Sequence, residues 1–121
     1  TFPLGVDGMV FSTKVLEKIK KKNLNQNDLE HVSVYIYSHP ELFKLYNYEA
    51  ENPKLKRTDI RLTLDYYEDY KLIEKIYSFF KDDSIYKLEN IIKFLDENPS
   101  IKNINKDIIQ INPILQNEKK I

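Results

Sequence analysis

A strand-like run that enters a helix without a linker limits the folds open to this chain. Ile60-Arg61-Leu62-Thr63-Leu64-Asp65 reads as a short strand, and Glu68 to Phe80 follows almost at once. In that second segment Leu72, Ile73, Ile76, Phe79 and Phe80 recur at i, i+1, i+4, i+7 and i+8, the stripe of a helix laid on a core. Only Phe43 to Glu49 alternates in the same strand-like way. A two-stranded sheet is marginal in water unless helices cover it. The expected fold class is therefore α/β, with few strands and about four helices, resembling the back part of a domain whose leading strands lie elsewhere.

The other helices are placed by caps and breakers. Ser12 is a good N-cap, Phe11 and Leu16 stand in staple positions, and Val15, Leu16 and Ile19 form a stripe that ends at Lys20-Lys21-Lys22. A second helix is expected from Asn27, with Glu30 in a capping-box relation and Leu29, Val32, Tyr35 and Ile36 on its apolar side. Val32, Val34, Ile36 and the tyrosines also favour strands, so a strand is the alternative there. His39 precedes Pro40 and is pushed from helical angles, which ends the element. Asp82-Asp83-Ser84 supplies a turn and cap. Ile85, Leu88, Ile92 and Leu95 then repeat at helical spacing until Asn98-Pro99, and a short helix is expected around Ile101. Residues 1–121 read as one domain, with 106–121 as a weakly ordered tail and its end frayed.

Composition removes several function classes. At 121 residues and 41% hydrophobic positions the chain is long enough for one cored domain. Nineteen basic residues balance nineteen acidic ones, which argues against nucleic-acid binding through a broad basic field. No apolar run approaches the roughly 18–20 residues that span a bilayer, and no signal peptide is recognisable. There is no cysteine, so disulfides and thiolate sites are excluded, and two histidines are too few for a structural zinc site. The cytoplasm is the simplest compartment on these grounds. With only Gly5 and Gly8, the chain has no glycine-rich loop for cradling phosphate.

Four residues stand out as site candidates. Asp65 ends a strand just before a helix, where ligands gather in open α/β sheets, and a carboxylate there can hold Mg²⁺. It can equally cap the helix that follows. Glu68 and Asp69 fall in the first helical turn and read as complements to the helix dipole. Glu30 and His31 form a polar pair that either faces a substrate or serves the fold, Glu30 as a cap and His31 hydrogen-bonded within it. Asp7, between the two glycines, can reach a ligand from a loop. His39 reads as a turn residue, and the nine tyrosines are too dispersed to form a stacking platform. No residue is singled out as catalytic.

Several of these segments together resemble a known family. They are Thr1-Phe2-Pro3-Leu4-Gly5-Val6-Asp7, Val10-Phe11-Ser12, Glu30-His31-Val32, and Tyr35-Ile36-Tyr37-Ser38-His39-Pro40-Glu41. To these add Asn47-Tyr48-Glu49-Ala50, Arg61-Leu62-Thr63-Leu64-Asp65 with Glu68-Asp69, Asn98-Pro99-Ser100-Ile101 and Ile104-Asn105. The set resembles the C-terminal half of the spore-coat polysaccharide type of cytidylyltransferase, within the broader CMP-sugar synthetase family. The resemblance implies the C-terminal portion of a nucleotide-diphospho-sugar transferase (Rossmann-like) fold. It implies attack of a sugar hydroxyl on the α-phosphate of CTP, with Mg²⁺, giving a CMP-sugar and pyrophosphate. CTP and an acidic or other sugar are then the partners, a homodimer is expected, and Asp65 corresponds to the family's strand-end metal ligand. The family usually carries Thr-Pro where Tyr66-Tyr67 stand here, and an acidic residue where Met9 stands. The family's N-terminal CTP-binding loop and first metal-binding Asp have no counterpart in this chain, so the chain by itself is expected to be inactive. A non-catalytic dimerisation or binding module derived from the family is the alternative.

Overall fold

The computed structural model describes residues 1–6, 8–31, 33–81 and 86–110. Asp7, Val32, Asp82-Asp83-Ser84 (where a turn and cap are expected), Ile85 and residues 111–121 lie outside the described residues. Among the described residues the α-helices are α1 (Thr13–Lys20), α2 (Gln26–Glu30), α3 (Val34–Ser38), α4 (Tyr67–Phe79), α5 (Leu88–Glu97) and α6 (Pro99–Lys102). Short 3₁₀ turns cover Pro53–Leu55 and Asn103–Asn105. The chain forms two compact units. One takes the described residues of Thr1–Asp7 and Tyr48–Ile108, the other those of Gly8–Asn47 and Ile109–Ile121. Among the described residues no helix is long and apolar enough to cross a membrane.

The first unit is built on α4 and α5. The stripe expected on α4 buries Leu72 and Ile76, which join Ile60, Ile92, Phe94 and Leu95 in one apolar cluster. Leu55, Leu62, Ile73, Phe80, Leu88, Ile91, Ile101 and Ile104 pack around it. Phe79 departs from the expected stripe: it is 62% exposed, although its ring stacks on Phe94 at a centroid distance of 4.3 Å. Two aromatic side chains at the end of one helix compete for the same space, and Phe80 takes the inner place, edge-on to Phe94.

The strand-like segments are extended but barely paired. Among the described residues the β pairing is a parallel bridge between Leu4 and Arg61. It is closed by Leu4 N–H donating to the Ile60 carbonyl at 2.9 Å and Leu62 N–H donating to the Leu4 carbonyl at 2.7 Å. The strand expected over Phe43 to Glu49 does not form, and residues 44–50 carry no regular structure. Alternating side chains favour extended backbone, but a strand also needs a neighbour to accept its hydrogen bonds, and that stretch has none here.

Gly5 makes the bridge possible. It adopts φ +91°, and a Cβ at that position would lie 2.7 Å from the Leu62 carbonyl carbon and oxygen and 2.8 Å from Thr63 N. Backbone atoms cannot swing aside as a side-chain tip can. The change Gly5→Ala is therefore expected to cost about 2 kcal/mol, from the left-handed conformation alone, and more from the contact. Thermal unfolding of the variant checks this; an unchanged midpoint would show that the 1–6 segment is not held against Leu62.

A charged clasp closes the far side of the same unit. The Arg57 guanidinium pairs with both oxygens of Asp59 (2.8 and 2.9 Å) and both of Asp96 (2.7 Å each). Lys102 also donates to Asp59, and Arg57 N–H donates to the Thr1 carbonyl at 2.9 Å. The hydrogen bonds from Arg57 hold the Asp59 carboxyl well below the usual carboxylate range and lower that of Asp96. Bidentate geometry of this kind makes a partly exposed pair worth more than an ordinary surface one.

The second unit differs from expectation in its caps. One helix was expected from Asn27 to His39, and two short ones form instead, broken at His31, whose backbone sits at φ −114° and ψ 92°. A capping box is present, but two residues earlier than expected. Asn25 Oδ1 accepts from Asp28 N–H at 3.0 Å and Asp28 Oδ2 accepts from Asn25 N–H at 3.1 Å. Both Asn25 and Asn27 are suitable caps by residue type, and only the tertiary position of Asp28, which is buried, chooses between them. In α1, Ile19 is buried while Leu16 is largely exposed, so that stripe is only partly used.

Candidate functional site

The junction from extended chain to α4 carries the densest polar network described. Arg61, Thr63 and Asp65 alternate with Ile60, Leu62 and Leu64, so the polar three share one face of the extended run. Tyr66 is still extended (φ −125°, ψ 163°) and α4 begins at Tyr67 without the proline common at such a start.

Asp69, in the first turn of α4, is the centre of the network and is 0% exposed. Its Oδ1 accepts from Arg61 Nε at 2.9 Å and from Asn105 Nδ2 at 2.7 Å. Its Oδ2 accepts from Arg61 Nη2 at 3.0 Å, Thr63 Oγ1 at 2.8 Å, Asp65 N–H at 3.1 Å and Tyr66 N–H at 3.2 Å. Burial alone would raise its pKa. The hydrogen bonds from Arg61, Asn105 and Thr63 overcome that and hold the carboxyl well below its ordinary value. Asp69 is thus more than a complement to the helix dipole: it ties the extended run, the helix and the 3₁₀ turn Asn103–Asn105 together. Asn105 makes a second tie by donating to the Arg61 carbonyl at 3.1 Å.

Asp65 is placed differently. Its side chain is 56% exposed, and its Oδ2 accepts from Arg61 Nη2 at 3.1 Å. Oδ1 takes no donor among the described residues. The capping role that residue type allows falls instead to Asp69, which accepts from the Tyr66 N–H. Asp65 is left as an outward carboxylate beside a buried guanidinium, and the Arg61 guanidinium also lies 5.5 Å from the Tyr66 ring centroid.

This donor set fits Mg²⁺ in one limited way. Mg²⁺ commonly takes one or two carboxylates, keeps several waters and binds substrate phosphates. Asp65 Oδ1 can be one such ligand. Asp69 has no oxygen to spare, and among the described residues no group of three or more His, Asp or Glu side chains could enclose an ion. Any further ligands come from phosphate, water or chain outside these residues.

The other candidates fall in the second unit or outside the described residues. Glu30 is the last residue of α2 and exposed; because the capping box is made by Asn25 and Asp28, its expected cap role is not observed. His31 caps the C-terminal end of α2, its N–H donating to the Asn27 carbonyl at 2.9 Å and its carbonyl accepting from Val34 N–H at 2.9 Å. The ring is half-buried and makes no hydrogen bond among the described residues, contrary to the alternative in which the fold uses it. Asp7 lies outside the described residues. His39 is more than a turn residue. Its ring stacks on Tyr35 at 4.1 Å and its Nδ1 donates to the Tyr35 carbonyl at 2.9 Å, which caps α3.

No family model matches the chain. Two curated proteins do. Uncharacterized protein MJ1063 of Methanocaldococcus jannaschii is 41% identical over 107 residues, 88% of this chain and 43% of that protein. The spore coat polysaccharide biosynthesis protein SpsF of Bacillus subtilis is 32% identical over 98 residues, 80% of this chain and 40% of that protein. The chain is a distant, partial homologue of SpsF. It spans about two-fifths of the length of the curated relatives it matches. No solved structure matches.

Proposed function

We propose that this chain is the C-terminal part of a cytidylyltransferase that makes a CMP-activated sugar from CTP for surface or spore-coat polysaccharide biosynthesis. The observation that carries the reading is the similarity to SpsF over 80% of the chain. On this reading the two units are the later portion of an α/β, Rossmann-like nucleotide-diphospho-sugar transferase domain, working in the cytoplasm as a homodimer. The exposed side chain of Asp65, whose Oδ1 takes no donor among the described residues, supports its role as a Mg²⁺ ligand. When bound there, Mg²⁺ supplies charge neutralisation at the phosphates of CTP. Asp65 holds its oxygen outward, Arg61 steadies the carboxylate, and Asp69 fixes Arg61. Glu30 and His31, whose side chains make no hydrogen bond among the described residues, and Asp7 would address the sugar.

The test uses the full-length protein with CTP, Mg²⁺ and a panel of neutral and acidic sugars, reading pyrophosphate release. Release that depends on CTP, Mg²⁺ and one sugar class supports the proposal. Absence of release and of Mg·CTP binding, together with a tight dimer, favours the second reading, a non-catalytic dimerisation or binding module. Met9, in place of the expected acidic side chain, and the lone carboxylate at the candidate metal position are the observations on its side.

A further inference from the structure

The early part of the second unit carries a positive charge that nothing near it in sequence balances. Lys14, Lys18, Lys20, Lys21 and Lys22 place five of the chain's nineteen basic residues within nine positions, against one acid, Glu17. All five are exposed, and none makes an ion pair or side-chain hydrogen bond with a described residue. Lys21, the C-cap of α1, keeps helical angles (φ −85°, ψ −1°). At 3.6 residues per turn Lys14, Lys18 and Lys21 therefore form one stripe, on the side away from Leu16 and the buried Ile19. The helix itself does not call for this stripe. Lysines in the last turn complement the helix dipole, but Lys14 stands in the first turn, where acids are favoured. Like charges three and four residues apart also repel, so the stripe costs the helix stability. A negative surface outside the chain would relieve that repulsion.

Apolar side chains stand just ahead of the lysines. Met9 is 56% exposed and Val10 fully so. We propose that the lysine cluster of α1, with Met9 and Val10 before it, docks this protein reversibly on a membrane surface rich in anionic lipid. The lysines meet the headgroups, and Met9 and Val10 enter the boundary with the acyl chains. A basic cluster and an apolar insertion are the two signals that together hold a protein on a bilayer without spanning it. α1 has only eight residues and lies on the surface. Nucleic acid suits the patch less well. Phosphodiester contacts favour the bidentate fork of arginine, and single strands favour exposed aromatic rings. Here every basic residue is a lysine, and the aromatic nearest in sequence, Phe11, is half-buried. Exposed aliphatic side chains add nothing to a phosphate contact, whereas burial in lipid is favourable for them.

The measurement is co-sedimentation of the full-length protein with vesicles of phosphatidylcholine alone, or of phosphatidylcholine mixed with phosphatidylglycerol, at low and at physiological salt. Binding is expected to the mixed vesicles only, weakening as salt screens the lysines. K14Q/K18Q/K21Q is expected to lose about 100-fold in affinity, at about fivefold per lysine near the surface, while K14R/K18R/K21R binds as wild type does. M9S/V10S is expected to bind several-fold more weakly at either salt. Equal binding to the two kinds of vesicle, binding to neither, or a glutamine variant that binds as wild type does overturns the inference. Duplex DNA bound more tightly than the mixed vesicles, lost in the glutamine variant and kept in M9S/V10S, also overturns it and makes the patch a nucleic-acid site. None of the lysines takes part in the proposed cytidylyltransferase chemistry, so pyrophosphate release in solution is read separately and stays as in wild type.

Discussion

Replacing Asp69 by Asn is expected to cost the first unit about 3–5 kcal/mol, the loss found when one partner of a buried ion pair is removed. Asp69 is 0% exposed, and Arg61 places two guanidinium nitrogens on it. In the variant that buried guanidinium keeps its charge and loses its counter-charge. The amide nitrogen would also face donors, either Arg61 Nε and Asn105 or Arg61 Nη2, Thr63 and two backbone N–H groups. Against a typical total of roughly 5–15 kcal/mol, that loss leaves the unit marginal or unfolded. Urea unfolding at neutral pH measures it, and a change under about 1 kcal/mol would mean that the network is not formed. The same carboxylate sets an acid limit. Its folded pKa lies below the unfolded value of roughly 3.9. Its contribution is therefore complete above that value and is lost as pH falls toward the folded pKa. Asp59 and Asp96, also lowered, act in the same direction through Arg57. The wild-type protein should weaken steeply below about pH 4, and the Asp69→Asn variant less steeply.

The opposite outcome is expected four residues earlier. On the proposed cytidylyltransferase function, Asp65→Asn in the full-length protein should lower CTP-dependent pyrophosphate release by about 100-fold and leave the unfolding midpoint almost where it was. Asp65 is 56% exposed and gives one oxygen to Arg61, which keeps its stronger partner Asp69 in the variant. An exposed substitution of this type usually shifts stability by no more than about 0.5 kcal/mol. The amide oxygen can still accept from Arg61 Nη2, but the negative charge that would hold a dication is gone. Activity within about threefold of wild type, against the 10–100-fold expected of a ligand position, would remove Asp65 from the metal site. With the expected loss, two acids four residues apart separate cleanly, one serving stability and one serving the proposed chemistry.

Which acid is buried and which exposed was not legible from the local sequence. Asp65, Glu68 and Asp69 all stand at a helix start, where carboxylates are favoured whatever else they do. The alternation of Arg61, Thr63 and Asp65 with Ile60, Leu62 and Leu64 did place three polar groups on one face of the extended run, and that signal could have exposed the network. The remaining anchor, Asn105, lies 36 residues beyond Asp69 and carries no local pattern that points back to it. In the second unit, Asn25 and Asn27 offered equivalent caps, and the burial of Asp28 decided for Asn25.

What the sequence by itself determined was the helical skeleton of the first unit. The apolar spacing through Leu72 and Ile76, the breaker Asn98-Pro99 and the short helix at Ile101 are local properties of backbone and side chain; α4 and α6 appear where they predict, and α5 ends at that breaker but begins only at Leu88, with Lys87 as its N-cap. Composition likewise disposed of disulfides and glycine-rich phosphate loops without any structure. Only the tertiary structure decided that Asp69 is buried and Asp65 exposed, that Phe80 packs inward while Phe79 faces out, and that Phe43 to Glu49 goes unpaired. Those outcomes depend on meetings between separate elements: Arg61 and Asn105 at Asp69, Phe94 beside Phe79 and Phe80, and a partner strand for Phe43 to Glu49 that is missing among the described residues. Burial and hydrogen bonding are properties of that meeting, not of the residue alone.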